Sequence, residues 1–387
     1  MTEAPEDIVR NNLEQFNKAY KEPPSFTAIA PGRINVIGEH TDYNEGLAMP
    51  AAINRWVAAS FSPRNDREIN IKSIDFNSRL SFKIGEVPAV TESWQKYVFG
   101  AISVFNNAFP ILNGFNACIR GNVPIQSGVS SSAAIEVAMM NGLRRLYHAG
   151  FNDFALIKLC QNIEHEYLKV KSGLLDQYAS QFSKKGKIMV LDFKTLEHQY
   201  INAQMNNWTW VLVDSKVKRE LAKSKYTERV NETRMAFNYL LKAGIKLHHF
   251  REIREEHLEI IENDIWKKRL RHYITENERV LKSITHLEAG NFKALGNELT
   301  ASHHSLQNDY EVSCKELDFL VKNAVKFKDC CGSRMMGGGF GGCTINLVKK
   351  EAVSQFSDYI SGYYYAGFNI IPGVNKYALV DGAKIYS

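Results

Sequence analysis

FNACIRGNVPIQSGVSSSAAIEVAMM, residues 115–140, changes character halfway along. It opens as a strand and closes as a helix, whose Ala134, Val137 and Ala138 stand at i, i+3 and i+4 and give it one apolar face. Between the two lies a loop of small residues, from Pro124 through Ser127, Gly128, Ser130, Ser131 and Ser132. Small residues let consecutive backbone N–H groups converge on an anion, and the helix that follows adds the positive end of its dipole. The serine hydroxyls can donate to phosphate, and one of them can reach a magnesium ion. The pattern G-x-x-x-x-G-K-[ST] is absent, so this is not a Walker loop. The alternative is an ordinary helix with serine caps.

Upstream, GRINVIGEHTDYNEG at 32–46 runs from apolar Ile34, Val36 and Ile37 straight into Glu39, His40 and Asp42, with Arg33 just before. Either it is a polar turn between two strands or it carries chemistry. Downstream, a helix begins near Asp153, with Leu156, Leu159, Cys160, Ile163 and Tyr167 at helical spacing and Glu164 on it. After the turn at Ser172-Gly173 another helix starts as LLDQYASQF, with Asp176 in its first turn. A carboxylate there stabilises a helix N-terminus by ~0.3–1 kcal/mol with no further role. Glu164 alone reads as a solvated surface residue, and GGGFGG at 337–342 as a tight glycine turn.

The remaining elements follow from periodicity. Residues 4–20 form an amphipathic helix with Ile8, Leu13 and Phe16 on its apolar side. Residues 26–37 and 47–60 are predicted strands of one sheet, and KIMVLDF and WTWVLVD are two more. Past residue 215 long charged helices dominate, for example 251–282 and 311–327, and the final KYALVDGAKIYS reads as a strand. We expect two domains, 1–200 and 201–387.

Composition excludes several functions. The chain has 387 residues, 44% hydrophobic and 23% charged, which is ordinary globular composition. Net charge is +6, but the charges are interleaved without a long basic block, so neither nucleic acid nor a membrane is an expected partner. No stretch approaches the ~18 apolar residues of a membrane span, and the acidic N-terminus has no signal-peptide core. The six cysteines include no C-x-x-C pair, which suits reduced thiols and a cytoplasmic enzyme.

Taken together and in order, these stretches resemble the galactokinase family of the GHMP small-molecule kinases. GRINVIGEHTDYNEG is similar to the family's sugar signature, VPIQSGVSSSAA to its phosphate-binding motif, and MMGGGFGGC to its third motif. EHEYLKVKSGLLDQYAS, ELAKSKYTERV, RHYITENERV and SLQNDYEVSCKELD match as well, so the resemblance covers most of the chain. Departures are Gln126 and Val129 in the phosphate loop, Met336 before the third motif's glycines, and Arg219 near Tyr226.

The resemblance implies an α+β fold in two parts: a mixed α/β N-terminal half and a ferredoxin-like C-terminal half, with the active site between them. It implies ATP and Mg2+ as cofactors, galactose as substrate, and a monomer. Glu39, His40 and Asp42 carry over as sugar ligands, with Gly173 and Tyr226. Asp176 faces the anomeric hydroxyl, with Arg33 beside it. Ser132 and Glu164 become magnesium ligands, with Ser131 a rival to the first. Trp94 and Tyr97 line the adenine pocket; Pro124, Ser127, Gly128, Ser130, Ser131 and Ser132 meet the nucleotide. A neutral hexose offers mostly O–H donors, and ionised carboxylates only accept, so two aimed carboxylates can fix which hydroxyls are axial. The expected reaction is phosphorylation of galactose at its anomeric hydroxyl, with Asp176 orienting that hydroxyl and taking its proton late. The rivals are a kinase for N-acetylgalactosamine, arabinose or galacturonate, and a galactose sensor without turnover. The intact Ser130–Ala134 run favours the enzyme.

Overall fold

The computed structural model describes residues 4–125, 127–202, 205–217 and 222–387; Gln126 and Arg219 lie outside the described residues. Helix α1 (Pro5–Tyr20) precedes strands β1 (Phe26–Asn35), β2 (Leu47–Ala48), β3 (Pro50–Pro63), β4 (Glu68–Ser73) and β5 (Ser78–Lys83). Then come α2 (Ser93–Ala108), β6 (Phe115–Gly121), α3 (Ser131–Leu146), α4 (Asp153–Asn162), α5 (Leu175–Phe182), β7 (Lys187–Asp192) and β8 (His198–Asn202). The second half contributes β9 (Trp208–Asp214), α6 (Ala222–Lys242), α7 (Asp264–Glu288), α8 (Phe292–Asn308), α9 (Lys315–Ala324), β10 (Cys330–Met336), β11 (Cys343–Lys349), α10 (Val353–Phe368), β12 (Gly373–Lys376) and β13 (Lys384–Tyr386).

The large sheet runs β13-β1-β3-β6-β4-β5, a second runs β10-β11-β9-β12, and a small one β2-β7-β8. Strand β4 pairs in parallel with β6; β13 lies antiparallel to β1, so the chain ends in the sheet where it began. WTWVLVD is buried on both faces of its sheet, which is why it reads as a continuous apolar run. Trp210 and Leu212 join the core that also holds Phe61, Phe115 and Met139 under the large sheet. Val211 and Val213 point the other way, onto Phe356, Ile360 and Tyr364 of α10. The first core continues into Leu295, Leu299 and Leu347, so both halves share it and the cleft between them has a fixed floor. Each large side chain buried there contributes about 1.5–3 kcal/mol.

Several expected boundaries move. Two 3-10 turns, Phe250–Glu252 and Glu255–Ile260, replace the first part of the helix expected over 251–282. Phe250, Ile253, Leu258 and Ile261 pack against Leu270 and Tyr273, a spacing no continuous helix presents on one face. Helix α7 starts only where the Asn263 side chain accepts from the Trp266 N–H. Likewise α9 begins at Lys315, after Glu311 takes a left-handed φ of 55°. The helix from Asp153 turns π-helical over Ile163–Tyr167, with Leu168 N–H donating to the Ile163 carbonyl. Strand 47–60 is broken at Met49, because β2 leaves for the small sheet. In the C-terminal stretch only Lys376, the last residue of β12, and Lys384–Tyr386 are strand; between them the Asn54 backbone N–H donates to the Ala378 carbonyl.

Candidate active site

Gly32 and Arg33 sit where the pairing of β1 with β3 shifts register, a bulge that re-aims the side chain. A Cβ on Gly32 would lie 2.6 Å from the Val129 carbonyl oxygen, so glycine lets the phosphate loop come close. The Arg33 N–H donates to that same carbonyl at 3.0 Å. Its guanidinium is buried. Nη1 donates to the Gly128 carbonyl at 2.6 Å, and Nε and Nη2 each reach Asp176 Oδ1 at 2.7 Å. The other Asp176 oxygen accepts from the Ser130 hydroxyl. One carboxylate is thus tied to the sugar-signature strand and to the phosphate loop.

The sugar-signature turn is packed from several sides. A Cβ on Gly173 would fall 1.7 Å from Asp42 Oδ2, so Gly173 lies directly on that carboxylate. Burial first, then the charges of Asp176 and Glu39, push the Asp42 carboxyl up to about 7. Glu39 is buried too. There desolvation raises the pKa, but Arg334, Arg33 and the Gly337 N–H together outweigh it, and the net shift is downward. Its Oε1 accepts from Gly337 N–H at 2.7 Å and from Arg334 Nη2 at 3.2 Å. His40 shares a 2.7 Å hydrogen bond with Tyr43 through Nδ1, and Tyr43 continues to the Tyr310 hydroxyl at 2.8 Å. Burial holds His40 near 4, so its ring is neutral. The Tyr226 ring lies 5.4 Å from the His40 ring. The backbone is left-handed at Gly38 (φ 95°), His40 (φ 60°) and Glu45 (φ 59°). For a non-glycine residue such strain costs about 1–3 kcal/mol and needs surroundings that over-determine it.

Trp94, Tyr97, Ser131 and Ser132 line one largely apolar pocket with Val57 and Ile135. Pro124 lies between two further lining residues, Val123 and Ile125. Trp94 is oriented by its indole N–H, which donates to Ser78 Oγ at 3.1 Å and Glu92 Oε2 at 3.0 Å. The Tyr97 hydroxyl bonds to Ser132 and feels the charges of Glu136 and Glu164. Glu164 belongs to the π-helical turn, a distortion frequent at functional sites, and accepts from the Ser172 hydroxyl. Ser127 faces elsewhere: its hydroxyl donates to Asp214 Oδ2 at 2.7 Å, leaving its backbone to the loop.

The donor set suits a hard divalent cation. Hydroxyl and carboxylate oxygens are magnesium's ligands, completed by water and phosphate. Burial, then the charges of Glu164 and Asp176, push Glu136 well above the carboxylate range, and its Oε1 has no partner among the described residues. Among the described residues no group of three or more His, Cys, Asp or Glu side chains is placed to hold a metal ion by itself.

Sequence reasoning missed Arg334, Glu276 and Asp214. Arg334 is fully buried; besides Glu39 it donates to the Val36 carbonyl at 2.8 Å and to the Asn35 carbonyl. No local pattern marks it. Glu276 and His272 stand at i and i+4 within RHYITENERV, a spacing that places both on one helix face.

The galactokinase galactose-binding signature matches residues 14–63, the GHMP kinases N-terminal domain 96–184 and the GHMP kinases C-terminal domain 283–366. The chain is 35% identical to the galactokinase of Clostridium acetobutylicum, over 98% of this chain and 99% of that one. It is 37% identical to that of Thermotoga petrophila, over 92% and 98%. The structure of Lactococcus lactis galactokinase complexed with galactose superposes with a TM-score of 0.91 at 32% identity, covering 97% of this chain and 99% of that one. A mevalonate kinase, 20% identical, shares the fold with a TM-score of 0.64. The chain belongs to the galactokinase family of GHMP small-molecule kinases.

Proposed function

We propose that this chain transfers the γ-phosphoryl group of ATP to the anomeric hydroxyl of galactose, giving galactose 1-phosphate and ADP. The observation that carries this reading is the placement of Asp176, bonded to Arg33 on the sugar-signature strand and to Ser130 on the phosphate loop. Phosphoryl transfer has a loose transition state, so positioning and charge stabilisation supply most of the catalysis. The sugar lies against Glu39, His40, Asp42, Gly173 and Tyr226, whose acceptors select its hydroxyl pattern. Asp176 orients the anomeric hydroxyl and accepts its proton as the bond to phosphorus forms. Arg33 offsets charge developing on the transferred group. Adenine occupies the pocket of Trp94 and Tyr97. Ser132 and Glu164 would hold magnesium, which would supply positive charge to the phosphates. The free cysteines support a reducing, cytosolic setting, and we place the enzyme there as a monomer.

A coupled assay of ADP release across galactose, glucose, N-acetylgalactosamine, arabinose and galacturonate tests the reading. Turnover should be sugar-dependent, with galactose giving the highest kcat/KM. A higher value for another sugar reassigns the substrate, and binding of galactose and ATP without turnover makes the protein a sensor. Glu164→Gln is expected to raise the magnesium concentration for half-maximal rate by about 10–100-fold, with galactose affinity unchanged. An unaltered magnesium dependence would remove Glu164 from the metal site.

A further inference from the structure

The loop that carries Glu39, His40 and Asp42 is held from within and from outside. Inside it, the Thr41 hydroxyl lies 3.0 Å from the Gly38 carbonyl oxygen and 2.8 Å from that of Leu47. Its left-handed residues at 38, 40 and 45 persist only where the surroundings over-determine them, and helix α7 of the second half supplies further anchors. Glu276 is fully buried there, and a single oxygen, Oε1, accepts from the Gly38 N–H at 3.0 Å, the Glu39 N–H at 3.3 Å and the Ser302 hydroxyl at 2.8 Å. Its Oε2 accepts from Arg279 Nε at 2.8 Å. One turn earlier, His272 Nε2 lies 3.1 Å from the Glu39 carbonyl oxygen. One residue later, Asn277 Oδ1 accepts from the Leu47 N–H at 2.8 Å. One helix face therefore grips the loop at Gly38, Glu39 and Leu47, on both sides of its ligand-bearing turn.

We propose that Glu276 is a positioning residue for sugar recognition, whose carboxylate pins the Gly38 and Glu39 amides and so sets where Glu39, His40 and Asp42 point. This rests on the reading of residues 39–42 as sugar ligands. The carboxylate is ionised in place. Burial raises its pKa, but Arg279, His272 and Arg334 outweigh that and bring it to about 2. Hydrogen bonds from the amides to an ionised group are the stronger kind, which suits an anchor for strained backbone. Gly38 is the fixed end of the turn, since a Cβ there would meet the Leu47 carbonyl oxygen at 2.4 Å.

The test uses the full chain with Glu276→Asp, Glu276→Gln and, alongside, Asp42→Asn. Aspartate keeps the charge opposite Arg279 but draws the carboxylate back from the amides by one methylene. It is expected to raise the galactose KM at least about fivefold while the ATP KM stays within about twofold. Glutamine has one oxygen and cannot serve both the loop amides and Arg279, so a rise of at least about tenfold is expected. The preference for galactose over glucose should narrow in both. A merely structural Glu276 would instead lower the Tm and leave the galactose KM of the folded fraction within twofold, or move both KM values together; either result overturns the proposal. Should the Gln variant fail to fold, the Asp variant decides alone. If Asp42→Asn leaves galactose binding intact, the sugar-site reading falls and this proposal with it. If Asp42→Asn loses galactose but the Glu276 variants do not, only this proposal falls.

Discussion

Asp176→Asn is expected to lower kcat by at least about 10²-fold while galactose and ATP binding stay within about tenfold of wild type. Asp176 stands in the first turn of α5, so a purely structural role is available to it. The substitution separates the two roles because asparagine is nearly isosteric and tolerated at helix starts. Its remaining oxygen can still accept from Arg33 Nε and Nη2, which both use Oδ1. The Ser130 hydroxyl, now a donor to Oδ2, can rotate and accept from the new amide. The geometry survives; what disappears is the negative charge and the ability to take a proton from the anomeric hydroxyl. The measurement is kcat of the purified variant, with calorimetry for both substrates and a melting curve. A folded variant that keeps more than about a tenth of wild-type turnover would return Asp176 to a helix-start role.

Asp42→Asn should weaken galactose binding by about 10–100-fold, the range for losing a charged acceptor, narrow the lead over glucose, and yet stabilise the free protein at pH 8. The stabilisation follows from the raised carboxyl pKa of about 7, caused by burial and by the neighbouring Asp176 and Glu39. In the unfolded chain the same carboxyl titrates near 3.9. Between those values the folded protein holds a proton that the unfolded chain has released, so stability falls as pH rises through this window. Above about 7 the folded protein carries the full cost of the ionised group. A neutral amide avoids that cost. Discounted for the water that reaches a partly open cleft, the gain is ~1–2 kcal/mol at pH 8 and shrinks toward pH 5, read as a Tm higher by a few degrees. Galactose affinity of the nucleotide-free wild type should weaken as pH drops below about 7, and the variant should show no such dependence. Equal melting curves at pH 8, together with unchanged galactose affinity, would remove Asp42 from the sugar site.

Much of this molecule is local and therefore legible in the linear chain. The strand, serine loop and helix of residues 115–140 come from short-range patterns: a run of small residues between two periodicities. The helix starts at Asp153 and near Leu175 were readable for the same reason, as was the doubly buried strand Trp208–Asp214. The candidate residues of the cleft were named by resemblance to a family, motif by motif. What each of them touches was decided only by the tertiary structure. Arg33 meets Asp176 across 143 positions, and Arg334 and Glu276 reach the sugar-signature loop from more than 200 residues away. The close packing of Gly173 on Asp42, the raised Asp42 carboxyl and the neutral His40 all depend on which charges burial brings within a few ångströms. Hydrogen bonds and charge interactions act over distances that sequence separation does not encode. The π-helical turn at Glu164 and the left-handed His40 run against local preference, and they persist because packing and hydrogen bonds from distant segments hold them.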